Sequence, residues 1–260
     1  MANRSGSDLF ELAEQLHEAL VRGDAAAGKQ LMRMLPQLEE IASEGRADVQ
    51  ALVAGLYLER LREPEKAYRL FVASAKAGHP AGQRGLGSML ANGIGVERDL
   101  DAARELFESA ALSGDLFALF NLAMMYLQGA GVEQDEVKGQ EFLRRAADEG
   151  LPAANAVLGD QFAAQQDFAQ ARVHYGVAAS GGVSRVIYTL AEWYRDGVGG
   201  PVDKVQAVRW FLKLLDFGDG DGVHGAISLA RSMSDQEIRM AAQLVDRSAE
   251  AEALIRVARK

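Results

Sequence analysis

Apolar and small residues recur along this chain at helical spacing, and the pattern returns every 36 residues. Gly78, Gly114 and Gly150 lie 36 residues apart, and Gly182 and Gly218 repeat the interval. The positions eight and twelve residues beyond the first four of these glycines are Leu86, Leu122, Leu158 and Leu190, then Leu90, Tyr126, Phe162 and Tyr194. Because four residues make about one helical turn, each pair is predicted to lie on one buried stripe of a first helix. Such a period is typical of a repeat array.

A glycine loop and a second helix follow the first helix in each full-length unit. The loops contain two glycines and an aspartate at fixed spacing, namely Gly93, Gly95 and Asp99, then Gly129, Gly131 and Asp135, then Gly197, Gly199 and Asp203. Glycine readily adopts the positive φ angles that end a helix, and aspartate is a preferred N-cap. The second helices are predicted to bury the equivalent residues Leu106, Phe142 and Trp210. A single helix pair cannot bury its own apolar face, so the units must stack.

The repeats are predicted to occupy residues 45–233. Their ranges are 45–77, 78–113, 114–149, 150–181, 182–217 and a partial 218–233. Two of these units are short because a tight connection replaces the glycine loop, as at residues 165–167. Loops tolerate such changes and cores do not, which favours the repeat assignment.

The two ends of the chain lack the glycine loop and are predicted to cap the array. Residues 1–44 are interpreted as N-terminal capping helices, the second of which Pro36 breaks or kinks. Residues 234–260 are interpreted as C-terminal capping helices that open with a capping box from Ser234 to Glu237. We predict that caps and repeats form one continuous solenoid domain.

Composition narrows the classes of partner. Acidic residues outnumber basic ones, 37 against 28, and the formal charge of −9 works against binding to nucleic-acid phosphates. The absence of cysteine excludes a disulfide framework and any thiolate metal site. The N-terminal stretch has no apolar core of a secretory signal, and no segment reaches the length of a membrane span. We therefore predict a cytoplasmic protein with no membrane insertion.

The stretch GDGDGVHG, residues 218–225, contains both a G-x-G-x-x-G and a D-x-D-G pattern. A dinucleotide site needs a strand before these glycines, whereas a helical pattern precedes them. An EF-hand needs oxygen ligands at positions one and twelve, where this chain has Phe217 and Ser228. We interpret the stretch as an acidic turn between two repeats.

The remaining polar residues suggest no catalytic site. His17, His79, His174 and His224 have no metal-ligand spacing and are predicted to be surface or turn residues. Asp99, Asp135 and Asp203 recur at one repeat position, which indicates a structural role. We predict a protein with no catalytic residue, no metal and no cofactor.

The repeat pattern resembles the Sel1-like repeat family, which is related to the tetratricopeptide repeat. The resemblance is carried by residues 85–114, 121–150 and 189–218, where the glycine pair, the aspartate and both apolar stripes coincide. The third segment departs from the pattern at Gly199-Gly200-Pro201 and at Leu214-Leu215. The resemblance implies an all-α fold, a right-handed α-solenoid of stacked helix-loop-helix repeats with a concave groove, and a role as adaptor or scaffold in bacteria.

The leading hypothesis for function is a non-catalytic protein that holds a partner polypeptide in that groove. The predicted partner-binding residues are Asn121, Met124, Met125, Gln128, Met89, Gln161, Glu192 and Trp193. Exposed methionines suit adaptable binding, but Met89, Met125 and Trp193 equally fit the gap between helices. The acidic balance favours a basic or mixed-charge partner.

Two alternatives stay open at this point. The first is an immunity or inhibitor protein that neutralises a toxin or a secreted effector. The second, from another class, is an enzyme whose site lies in the first 44 residues or in a dimer interface.

Overall fold

The computed structural model of the chain describes residues 6–21 and 24–260. Within these ranges the chain forms fifteen α-helices and no strand, which confirms the all-α fold. The described residues fall into two compact units. Of the described residues, Gly6–Val21 and Ala25–Glu149 belong to unit 1, and Asp24 and Gly150–Lys260 belong to unit 2. That the repeats form one continuous domain stays a prediction.

Unit 1 consists of eight helices in which each helix packs on the next. They are α1 (Gly6–Val21), α2 (Ala25–Ser43), α3 (Ala47–Leu56), α4 (Pro64–Lys76), α5 (Pro80–Asn92), α6 (Leu100–Leu112), α7 (Leu116–Gln128) and α8 (Glu136–Asp148). A π-helical turn, Tyr57–Leu61, extends α3. We call α3, α5 and α7 the first helices and α4, α6 and α8 the second helices of their repeats.

Unit 2 continues the alternation with shorter helices toward its end. Its helices are α9 (Pro152–Ala164), α10 (Phe168–Ser180), α11 (Ser184–Asp196), α12 (Lys204–Lys213), α13 (Asp221–Ala230), α14 (Asp235–Gln243) and α15 (Ser248–Ala258). Of these, α9 and α11 are first helices and α10 and α12 are second helices. The predicted capping box begins α14, with the side chains of Ser234 and Glu237 each accepting from the other's backbone N–H. The two helices α12 and α13 pack on the cap helices α14 and α15 respectively.

The predicted loop residues begin and end the helices as the sequence indicates. The carboxylates of Asp99, Asp135 and Asp203 accept backbone N–H groups three residues further on, at 2.9–3.0 Å. Gly93, Gly129 and Gly197 end the first helices in the left-handed conformation, with φ of 66°, 67° and 75°. These contacts satisfy backbone groups that a helix end would otherwise leave unpaired.

The second glycine of each loop makes the contact between repeats. A Cβ on Gly131 would lie 2.5 Å from the Cβ of Leu100, which is the first residue of the preceding second helix. In the same way, Gly95 lies close against Pro64, and Gly199 lies close against the backbone carbonyl of Phe168. In each G-x-G loop, the first glycine therefore ends a helix, and the second allows the loop to pack closely against the preceding repeat.

The short connection at residues 165–167 is confirmed, and a residue other than glycine makes the turn. Gln166 adopts a φ of 62° between α9 and α10. The other short repeat uses Arg62, with a φ of 58°, between the π-helical turn and α4. The shorter connection does not shorten the helices that it joins. Helices α9 and α10 have 13 residues each.

One buried position of the second helices differs from the prediction. Trp210 is buried as predicted, but Leu106 and Phe142 are only half-buried. The residue that follows each of them fills the core instead. This buried row consists of Phe71, Phe107, Leu143, Tyr175 and Phe211. Its aromatic rings lie against glycines of first helices, such as Gly85 under Phe71 and Gly159 under Tyr175.

Pro36 does not break the second capping helix. Helix α2 runs without interruption from Ala25 to Ser43. Pro36 is exposed, whereas Leu31, Leu35 and Leu38 on either side of it are buried. The burial on both sides offsets the hydrogen bond that proline removes.

Two glycine-to-alanine substitutions in unit 2 are expected to change stability in opposite directions. In Gly159→Ala the new methyl group would lie 2.4 Å from the Tyr175 ring. We expect a loss of about 1–3 kcal/mol from overpacking. In Gly176→Ala nothing lies within 4 Å of the new Cβ, and we expect a gain of about 0.5–1 kcal/mol from helix propensity. Urea denaturation measures both, and a shift of the same sign in both variants would contradict the packing described.

Candidate functional site

Two of the predicted partner-binding residues are core residues. Met89 is fully buried and Met125 is 6% exposed, so neither side chain is available to a partner. Each lies three residues after a leucine of the first-helix stripe, and positions three apart share one side of a helix. Helix α7 packs on both α6 and α8, which widens its buried side to include Met125. The prediction that Met89 and Met125 bind a partner in the groove is therefore wrong.

The equivalent positions in unit 2 are half-buried. Gln161 and Trp193 occupy the repeat position of the two buried methionines. The Trp193 ring lies edge-on to Phe168, with 5.5 Å between centroids, and is tilted against Tyr175 at 5.2 Å. Trp193 thus fills the gap between α10 and α11, which is the second of the two roles considered for it.

The remaining predicted residues are at least partly accessible. Asn121 and Met124 are half-buried and Gln128 is exposed on α7. Together with Phe117, which is 51% exposed, they are spaced four, three and four residues apart and form one stripe. In unit 2, Glu192 is half-buried on α11 and accepts a hydrogen bond from Arg195 at 3.2 Å. Their part in binding stays a prediction.

A groove opens on the first-helix side of unit 1, between α1, α3 and α5. Its volume is about 290 Å³. The apolar part of its lining consists of Phe10, Ala51, Leu52, Phe71 and Ala81. None of these residues stood out in the sequence, because α1 lies outside the repeat pattern and its position against α3 depends on the fold.

Carboxylates dominate the polar part of the groove. Glu14 and Glu18 come from α1, Asp48 and Glu59 come from α3 and the turn after it, and Arg84 is the basic residue of the lining. The guanidinium of Arg84 is already engaged, because its Nε donates to Asp115 at 2.9 Å. The guanidinium also stacks on the ring of Phe117, 5.1 Å from the centroid.

Arg46 occupies one edge of the groove. Its guanidinium lies 5.1 Å from the centroid of the Phe10 ring and forms an ion pair with Asp48. Burial opposes the ionisation of Asp48, but hydrogen bonds from Arg46 and from the Val49 N–H together hold the pKa of Asp48 below its usual range. The edge of this groove therefore already holds one guanidinium between an aromatic ring and a carboxylate.

Glu14 lies in a different electrostatic environment. Burial raises the pKa of the Glu14 carboxyl above its ordinary value, and the negative charges of Asp48 and Glu18 raise it further. His79 and Arg46 act in the opposite direction without cancelling the shift. A raised pKa means that the surroundings disfavour the charged form of the carboxyl, here mainly through desolvation.

Two imidazole nitrogens in the groove lack a hydrogen-bond partner among the described residues. They are the Nδ1 atoms of His17 and His79, both inaccessible to solvent. His79 is the residue before α5, and His17 lies on α1. Both residues line the groove, but these two nitrogens are not exposed in it.

A second polar cluster, in unit 2, joins α9, α10 and α11. The Tyr175 hydroxyl donates to Asp160 at 2.7 Å, and Arg185 donates two hydrogen bonds to the same carboxylate. Burial and the hydrogen bond to Asp160 raise the pKa of Tyr175 to about 12. Next to it, His174 is half-buried, with its Nδ1 2.9 Å from Asn155 Oδ1. These contacts tie the helices of unit 2 together.

The stretch GDGDGVHG joins two helical segments. Gly218 ends the 3-10 turn Leu214–Phe217 with a φ of 73°, and α13 begins at Asp221. The Asp219 carboxylate accepts the backbone N–H of Asp221 at 2.9 Å. Residues 218–220 form the predicted turn between repeats, whereas residues 221–225, which were also assigned to it, belong to the start of α13. In the part of the chain that the structure describes, no cluster of three or more His, Asp or Glu side chains could hold a metal ion.

The fold is that of a helical-repeat protein. Its consecutive helix pairs pack on each other, and the loop of one pair contacts the pair before it. The family model of the Sel1 repeat matches residues 48–79, 80–115, 116–151 and 185–216, which is more than half of the chain. The chain therefore belongs to the Sel1 repeat family, as its resemblance implied. A search of curated proteins found no match.

Solved structures share the fold. A protective antigen of uropathogenic Escherichia coli, c5321, displays an SLR fold and is 26% identical, with a TM-score of 0.56. The match covers 83% of this chain and 48% of c5321, so the chain spans about half of that protein. A Sel1 repeat protein from Oxalobacter formigenes is 22% identical over 83% of this chain and 88% of its own, with a TM-score of 0.57. Immunity protein Pa5087 from Pseudomonas aeruginosa is 18% identical over 82% of both chains, with a TM-score of 0.51.

Among residues 6–21 and 24–260, no helix is both long enough and apolar enough to cross a bilayer.

Two adjacent methionines on α7 test the correction to the predicted site. Met125→Ala is expected to lower the free energy of unfolding by about 2–4 kcal/mol, because it leaves a cavity in the core. Met124→Ala removes a half-buried side chain and is expected to cost less than about 1 kcal/mol. Urea denaturation followed by circular dichroism provides both values. Equal losses would show that the two side chains are not on different sides of α7.

Proposed function

We propose that this chain is a non-catalytic protein-binding module that holds a partner polypeptide on the first-helix side of unit 1. The Sel1 repeat fold is typically used for protein interaction. The proposal keeps the leading hypothesis from the sequence and changes the residues that carry it.

The observation that carries the proposal is the accessibility of the first-helix side in unit 1. The groove between α1, α3 and α5 is open, and α7 presents the stripe that contains Phe117, Asn121 and Met124. The Arg84 guanidinium stacked on Phe117 links α5 to this stripe. A partner with an extended or helical segment would therefore meet a concave apolar patch with polar groups beside it, the usual form of a peptide-binding surface.

The immunity hypothesis gains less support. The Pseudomonas aeruginosa protein described as an immunity protein is 18% identical to this chain, and at that level the likeness concerns the fold alone. Neutralisation of a toxin stays an alternative form of the same activity, in which the bound polypeptide is the toxin.

Site-specific photo-crosslinking tests the proposed surface. A benzophenone amino acid in place of Asn121 lies on the first-helix stripe, and the same residue in place of Val137, which is 81% exposed, lies on second helix α8. In extracts of cells that naturally produce the protein, we expect the Asn121 variant to form one dominant adduct with a polypeptide. The Val137 variant is expected to yield less than about a tenth of that adduct, because nonspecific contact with the surface is weak.

Two results would reject the proposal. One is the absence of any polypeptide adduct at Asn121 while the variant retains the helical content of the wild-type protein. The other is equal yield of the same adduct at Asn121 and Val137.

A further inference from the structure

The groove between α1, α3 and α5 combines an apolar lining with acidic walls. Leu52 and Phe71 contribute to the apolar part, while Glu14, Glu18 and Glu59 contribute negative charge. We propose that this groove receives a single cationic side chain, arginine or lysine, of the bound polypeptide. The inference rests on the proposed function and names the chemistry by which the partner is recognised.

The size of the groove fits one side chain. Pockets for cofactors and other small molecules usually measure about 300–1,000 Å³. At about 290 Å³, this groove lies at the lower end of that range. A long side chain has an aliphatic stem that needs apolar contact and a charged end that needs polar contact. The lining provides both within one groove.

Charge complementarity selects a cation over a neutral side chain. Arg46 is paired with Asp48, and Arg84 is paired with Asp115, so the two arginines near the groove already have acidic partners. The Glu14 carboxylate experiences repulsion from Asp48 and Glu18. A cation bound between them would relieve that repulsion, which a neutral side chain cannot do.

The groove also provides hydrogen-bond acceptors for such a cation. The carboxylates of Glu14, Glu18 and Glu59 line the groove, and an ionised carboxylate accepts hydrogen bonds through both of its oxygens. A guanidinium carries five N–H donors and an ammonium carries three. At the same groove, Arg46 already shows how a guanidinium lies over Phe10 beside Asp48.

Small amides of single amino acids test this inference without the partner. N-acetyl-arginine amide and N-acetyl-lysine amide are titrated into the ¹⁵N-labelled full chain, with N-acetyl-citrulline amide as the neutral analogue of arginine. We expect saturable shifts of the backbone amides of Ala51, Leu52, Gly55 and Ala81 with the two cations. Citrulline is expected to bind on the order of tenfold more weakly, because it lacks the charge-assisted hydrogen bonds.

Two variants locate the effect. The double substitution Glu14→Gln, Glu59→Gln retains the shape of the groove and removes two charges, and we expect it to weaken arginine binding on the order of tenfold. Glu141→Gln changes an exposed glutamate on α8 and is expected to leave the affinity unchanged. Circular dichroism confirms that both variants are folded.

Equal binding of citrulline and arginine, or equal affinity of the wild-type and the double variant, would overturn the inference. The absence of any shift in the groove would do the same. These results are independent of the crosslinking result at Asn121. A polypeptide adduct at Asn121 combined with an empty groove would leave the proposed function intact and reject the cationic anchor.

Discussion

Close contact at glycine positions is the constraint on which the rest of this structure depends. In unit 1 the loop glycine Gly131 packs closely against the first residue of α6, and Gly85 packs directly against the Phe71 ring. In unit 2 the ring of Tyr175 covers Gly159 in the same way. A side chain at any of these glycines would separate neighbouring helices by the width of a methyl group or more. Neighbouring helices approach closely at these points because these positions carry no side chain.

This packing determines which surface remains available to a partner. Each second helix covers one side of the first helices, and the buried row from Phe71 to Leu143 fills the space between them in unit 1. The opposite side of the first helices is left accessible. There the capping helix α1 adds Phe10, Glu14 and His17 to residues from α3 and α5, which converts a helix face into a groove. The chemistry of the groove thus comes from the joining of a cap to the repeat.

The period, the helix caps and the loop glycines could be predicted from the sequence because each depends on contacts within about one repeat. The carboxylates of Asp99 and Asp135 and the left-handed Gly93 and Gly129 are local features, and all were confirmed. The sequence left open whether Met89 and Met125 are buried, because their burial depends on a second neighbour of the first helix. The groove was missed for the same reason, since no spacing relates Glu14 to Asp48 or Glu59.

Hydrogen–deuterium exchange of the chain with and without its crosslinked partner polypeptide tests most directly whether the first-helix side is the binding surface. The account predicts that the partner slows amide exchange in α1, α3, α5 and α7, with little change in α4, α6 and α8 once global stabilisation is subtracted. Protection concentrated in the second helices, or confined to the loops between residues 93–99 and 129–135, would contradict it.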